Sequence, residues 1–152
     1  MRSLPESLRI DFKTGSLFEP WDGRAFDVII DDISGVAEPI ARLSEWYPPG
    51  IPCATGEDGS TLIGEVLREA PRYLAPAGVL FFPVLTLSNE KKILEIARER
   101  FTSVEQVADY RWFLQGKLLE RREEFWPLVE QGKIGIVQVK DRYMWHTKVF
   151  RA

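Results

Sequence analysis

Phe26-Asp27-Val28-Ile29-Ile30-Asp31-Asp32 is the stretch on which the fold turns. Its first five residues are nearly all apolar and β-branched, the character of a strand buried on both faces, and the run stops abruptly at two carboxylates. Downstream, Gly35 to Gly59 carries four prolines and four glycines, so it reads as a long structured loop. A helical turn or two starts at Pro39 and ends before Tyr47-Pro48-Pro49. Leu62, Ile63, Val66, Leu67, Ala70, Tyr73 and Leu74 then fall on one stripe of a helix, with Asp58 or Ser60 as its cap and Pro71 weakening its last turn.

Ala75-Pro76-Ala77-Gly78 reads as a turn, and Val79 to Leu85 repeats the pattern of a buried strand. Asn89 caps a helix running to about Phe101, with Ile93, Leu94, Ala97 and Phe101 facing inward. The pattern predicts a further strand over 104–113 and one amphipathic helix over 117–131, followed by strands over 134–139 and 143–150. Upstream, the alternation over 8–12 predicts a short strand entering the turn Thr14-Gly15-Ser16. Alternating strands and helices imply an α/β fold: an open, mainly parallel sheet with an antiparallel C-terminal strand pair, in a single domain spanning 1–152.

The apolar fraction of 45% is enough for a substantial core, and 20 Lys plus Arg against 23 Asp plus Glu lack the basic excess of a general nucleic-acid binder. One cysteine, Cys53, makes no internal disulfide and has no basic neighbour to activate it. No apolar run reaches the ~20 residues of a bilayer span, and the N-terminal stretch lacks the apolar region of a signal peptide, so a cytoplasmic protein is expected. His146 has no Cys or carboxylate cluster in sequence to make a metal site and reads as a surface or edge residue.

In open α/β sheets, ligands bind beyond the carboxyl ends of the strands. With that rule, Phe26 to Asp32 resembles the fourth strand of class I S-adenosylmethionine-dependent methyltransferases. Gly56-Glu57-Asp58-Gly59 and Glu69 to Gly78 are similar to the stretch that links this strand to the next in the release-factor glutamine methyltransferases. Gly15-Ser16-Leu17-Phe18-Glu19 resembles their Gly-Asp-Leu-Phe turn beside the adenine ring. The resemblance covers roughly 8–101. It implies an incomplete Rossmann-like methyltransferase sheet with 112–140 inserted between the last two family strands. It also implies S-adenosyl-L-methionine as cofactor, contacted by Gly15, Ser16, Leu17 and Asp31, with Asp32 and its neighbour Asp31 as catalytic groups on the acceptor side. Ser34, Trp46 and Tyr47 become candidates for substrate binding.

The sequence departs from that family in three places. Asp32-Ile33-Ser34-Gly35 replaces Asn-Pro-Pro-Tyr, which leaves a carboxylate acceptor without the aromatic wall. Ser16 stands where the family carries Asp. No Gly-x-Gly-x-x-Gly turn precedes Leu8, so the expectation is that an upstream segment or a partner chain supplies the N-terminal half. Two functional readings follow. One is a methyltransferase acting on an oxygen or nitrogen nucleophile of a protein or small molecule. The other is a non-catalytic interaction module that forms a homo-oligomer through the apolar edge left at Phe26 to Ile30. Each residue also has a plainer use: Asp31 and Asp32 as a solvated strand end, Gly15 to Leu17 as an ordinary turn, and Trp46, Tyr47, Trp112, Phe113, Phe125 and Trp126 as packing.

Overall fold

The protein is described from a computed structural model covering residues 10–33, 35–47 and 55–152. Strands β1 (Phe26–Ile30), β2 (Leu74–Leu85), β3 (Glu105–Phe113), β4 (Val137–Val139) and β5 (Arg142–Arg151) form one sheet in the order β1-β2-β5-β3, with β4 paired to β5. The β1–β2 pair is parallel, whereas β5 runs antiparallel to β2, β3 and β4. β1, β2 and β3 therefore point the same way, but β5 lies between β2 and β3. The sheet is mixed rather than mainly parallel, because the last strand returns into the interior of the sheet instead of adding to its edge. The expected antiparallel C-terminal pair is β4–β5.

Side chains alternate across a strand, so Phe150 and Trp145, five residues apart on β5, face opposite sides. Phe150 belongs to a core with Leu80, Phe82 and Val84 of β2, covered by α2 (Thr61–Glu69) and α3 (Glu90–Arg100). Trp145 belongs to a second core on the other face, built from α1 (Glu38–Leu43), α4 (Gly116–Glu120), α5 (Trp126–Glu130) and the buried Ile134 and Ile136. This second core lies towards the Trp145 end of its face. Val28 and Ile30 share that face at the far edge and are 51% and 75% exposed. β1 is thus an edge strand among the described residues rather than one buried on both sides.

Several local readings changed once tertiary contacts were in place. Ile10, Asp11 and Phe12 carry no regular structure and Phe12 is 91% exposed, since none of the described strands pairs beside them; Leu8 and Arg9 lie outside the described residues. The turn Ala75 to Gly78 is absorbed into β2 as a bulge: β1 advances from Phe26 to Val28 while its partner advances from Leu74 to Val79, with Ala77 at φ 65°. The single helix expected over 117–131 is three short pieces, α4, a 3-10 turn at Arg122–Glu124 and α5. Pro127 lacks an N–H and starts a new first turn, and the break lets Leu118, Phe125 and Leu128 all reach the second core.

α2 and α3 are tied together at their N-terminal ends. Ser60 holds the cap position of α2, but its hydroxyl donates to Asp58 at 2.6 Å instead of capping the helix. Asp58 also accepts from Ser60 N (3.1 Å) and Asn89 Nδ2 (2.9 Å), while Asn89 Oδ1 accepts from Lys92 N and caps α3. Burial pulls the Asp58 carboxyl upward, but the Ser60 and Asn89 hydrogen bonds and the Lys92 charge outweigh it and hold the group down at about 2.

Candidate functional site

Asp31 follows the last residue of β1 and extends the ladder by one bond, its N–H donating to Phe81 O at 2.9 Å. Alternation puts its side chain on the face of Ile29, toward the first core. Oδ1 accepts from Ile33 N at 3.2 Å. Oδ2 is buried and has no hydrogen-bond partner, and the residue is only 7% exposed. Burial, opposed by the Ile33 N–H and reinforced by the neighbouring charge of Asp32, raises the Asp31 carboxyl from 3.8 to about 6. A buried polar atom with no partner is a rare and costly feature, and it is often found at sites that act on something else.

A cavity of about 120 Å³ opens beside this carboxylate, walled by Leu17, Phe18, Ile29, Ile30, Ile33 and Val66. Phe18 is fixed by stacking on Tyr73 at 4.6 Å, and Leu17, at φ 44°, is held in the left-handed region that a branched side chain normally avoids. Glu19 N donates to Ser16 O at 3.0 Å, closing the turn into the 3-10 turn Glu19–Trp21. Thus Leu17 and Asp31 meet in one cavity although fourteen positions separate them in sequence.

The remaining candidates fall elsewhere. Gly15 and Ser16 are exposed in the same turn and do not line the cavity, and Asp32 is exposed beyond the strand end. Asp31 is therefore the enclosed carboxylate of the pair, a difference that side-chain alternation from the core residue Ile29 anticipates. Tyr47 packs against the second core, and Trp46 borders a separate groove with Trp112 and Trp145. Ser34 and Cys53 lie outside the described residues. His146 pairs across the strands with Asp109, Nδ1 to Oδ1 at 2.7 Å. Among the described residues no group of His, Cys, Asp and Glu is placed to hold a metal, and no helix is long and apolar enough to cross a membrane.

The chain is 34% identical over 92 residues to the ribosomal protein uL3 glutamine methyltransferase of Bordetella pertussis (strain Tohama I), a match covering 59% of the chain. The matched part spans about 30% of the length of that curated relative. The similarity supports a methyltransferase relationship. No protein-family profile and no solved structure matches the chain.

Proposed function

We propose that this chain is part of an S-adenosylmethionine-dependent methyltransferase that acts on an oxygen or nitrogen nucleophile of a protein or small molecule, with Asp31 as its working carboxylate. The observation that carries this reading is the unpartnered Asp31 Oδ2, buried beside an apolar cavity at the carboxyl end of a parallel strand pair. The relative's printed activity, methylation of a glutamine in ribosomal protein uL3, makes a protein amide one candidate acceptor. The parallel β1–β2 pair with α2 between its strands supports reading the sheet as an incomplete Rossmann-like one.

The residues present fit one end of the cofactor. A cavity of about 120 Å³ falls well below the ~300–1,000 Å³ typical of small-molecule sites, so Leu17 and Asp31 supply one apolar and one polar contact. In this reading an upstream segment or another chain supplies the rest. When bound, S-adenosylmethionine supplies an electrophilic methyl group. Asp31 Oδ2 accepts a hydrogen bond from an N–H or O–H donor and orients it. With a pKa of about 6, the carboxyl is ionised at neutral pH and can accept the proton that a hydroxyl or neutral amine gives up as its oxygen or nitrogen takes the methyl group. The apolar wall of Leu17, Phe18 and Ile33 keeps water from competing for that oxygen.

Calorimetric titration with S-adenosylhomocysteine tests the reading. Weak binding is expected for the chain at pH 8, and Asp31→Ala should reduce it by about tenfold or more, the worth of one hydrogen bond to a charged group. Absence of binding, both to the chain and to a version extended upstream, would sink it.

The alternative is a non-catalytic interaction module. β1 is one edge strand of the described sheet and exposes Val28 and Ile30, which favours pairing with a second copy through this edge. Sedimentation at micromolar concentration should then show a dimer that Ile30→Lys converts to monomer. A monomeric parent chain would exclude this mode of association.

A further inference from the structure

On the sheet face opposite Asp31, three tryptophans distant in sequence form a groove of about 560 Å³. Trp145, 7% exposed, is its floor. Trp46 stands against it at 5.7 Å between ring centroids and Trp112 at 6.0 Å, each about half exposed. The walls are fixed from different elements: Trp46 follows α1, while Trp112 lies on β3 and donates its Nε1–H to Thr147 Oγ1 of β5 at 3.0 Å. At the rim, Lys117 and Glu45 make an ion pair of 3.4 Å in which both side chains are largely exposed. Such a pair contributes little and is readily exchanged for a better partner.

From this arrangement we infer that the groove is a docking site for an arginine-bearing segment of a partner polypeptide. Indole faces carry negative potential and attract cations, and a guanidinium is both cationic and flat, so it can lie against Trp46 or Trp112. Its edge donors match the exposed Glu45 carboxylate, displacing Lys117. The net charge of −3 favours approach of a basic segment. A volume within the usual range for ligand sites, and two large aromatics exposed together at a polar rim, are what a recognition surface requires. Trp145 sits five residues along β5 from Phe150, the partner of Phe82, and β5 is two strands from β1. At ~3.3 Å per residue and ~4.8 Å per strand the groove lies on the order of 20 Å from Asp31. It therefore goes beyond the proposed methyl-transfer site and does not depend on it.

The five tryptophans give the experiment its own controls. Acetyl-Gly-Gly-Arg-Gly-Gly-amide is titrated into the ¹⁵N-labelled chain while the indole N–H signals are followed by NMR. Signals of Trp46, Trp112 and Trp145 should shift, and those of Trp21 and Trp126 should not. Citrulline in place of arginine should weaken binding by about tenfold, Trp112→Ala by a similar factor, and Glu45→Gln by about threefold, while Lys117→Ala should tighten it. Glu45 and Lys117 are surface positions, so those variants fold whether or not Trp112→Ala does. Absence of shifts, equal binding of the citrulline peptide, or weaker binding by Lys117→Ala would overturn the assignment.

Discussion

Asp31→Asn is expected to stabilise the protein at pH 8 and to lose that advantage at pH 4. The native carboxyl titrates near 6 and the unfolded one near 3.8, so the folded state holds the proton more tightly. The stability this confers is fully present below about 3.8 and is lost as pH rises through about 6. At ~1.4 kcal/mol per pKa unit, the ionised group costs the fold about 3 kcal/mol at neutral pH. The asparagine removes that cost but leaves an amide short of partners, at about 1–2 kcal/mol, so the net gain at pH 8 is about 1–2 kcal/mol, or several degrees in Tm. Thermal melts of parent and variant between pH 4 and 8 measure this directly. Other carboxylates titrate in both chains and cancel in the difference. Parallel curves would mean that Asp31 is solvated and has no special role. A buried charge that weakens its own fold fits a residue kept for what it binds.

Gly59→Ala should act in the opposite direction and destabilise the fold. Gly59 has φ +74°, and a Cβ there would lie 2.6 Å from Val36 C, 2.7 Å from Ala37 N and 2.8 Å from Ser88 Cβ. Two of these atoms are backbone and cannot swing away. The left-handed conformation costs about 1–2 kcal/mol for any L side chain and the overpacking about 1–3 more, for a loss of roughly 2–5 kcal/mol. Gly23→Ala is the matched control: φ is +72° and nothing lies within 4 Å, so only the conformational part remains. Urea unfolding of the two variants separates strain from packing. Equal losses would show that the segment at Val36 yields. Because Ala37 N donates to Leu87 O at 2.9 Å, pushing this segment away also strains the bond that holds the start of α1 to Leu87.

The order of strands and helices from Phe26 to Phe101 was legible because each element carries its own periodicity and its own end signal, such as Asn89 before α3 and Pro71 after α2. The pieces between Gly116 and Glu130 were not, since a charged amphipathic pattern over fifteen residues reads as one helix until Pro127 is weighed against the need to bury Phe125 and Leu128. At the site, the sequence resemblance put Asp32 first on the acceptor side, with Asp31 as its neighbour; pairing with Phe81 sets the direction in which Asp31 points, toward the face of Ile29, and leaves Asp32 exposed.

Sequence by itself thus determined the α/β class, the carboxylates at the end of β1 and the turn that carries Leu17, because these depend on neighbours a few residues apart. Only the tertiary structure decided that β5 enters the sheet between β2 and β3, that Asp31 loses its water beside Leu17, and that Trp46, Trp112 and Trp145 converge. Those outcomes depend on contacts between residues far apart in the chain, and such contacts leave no local period or spacing to read.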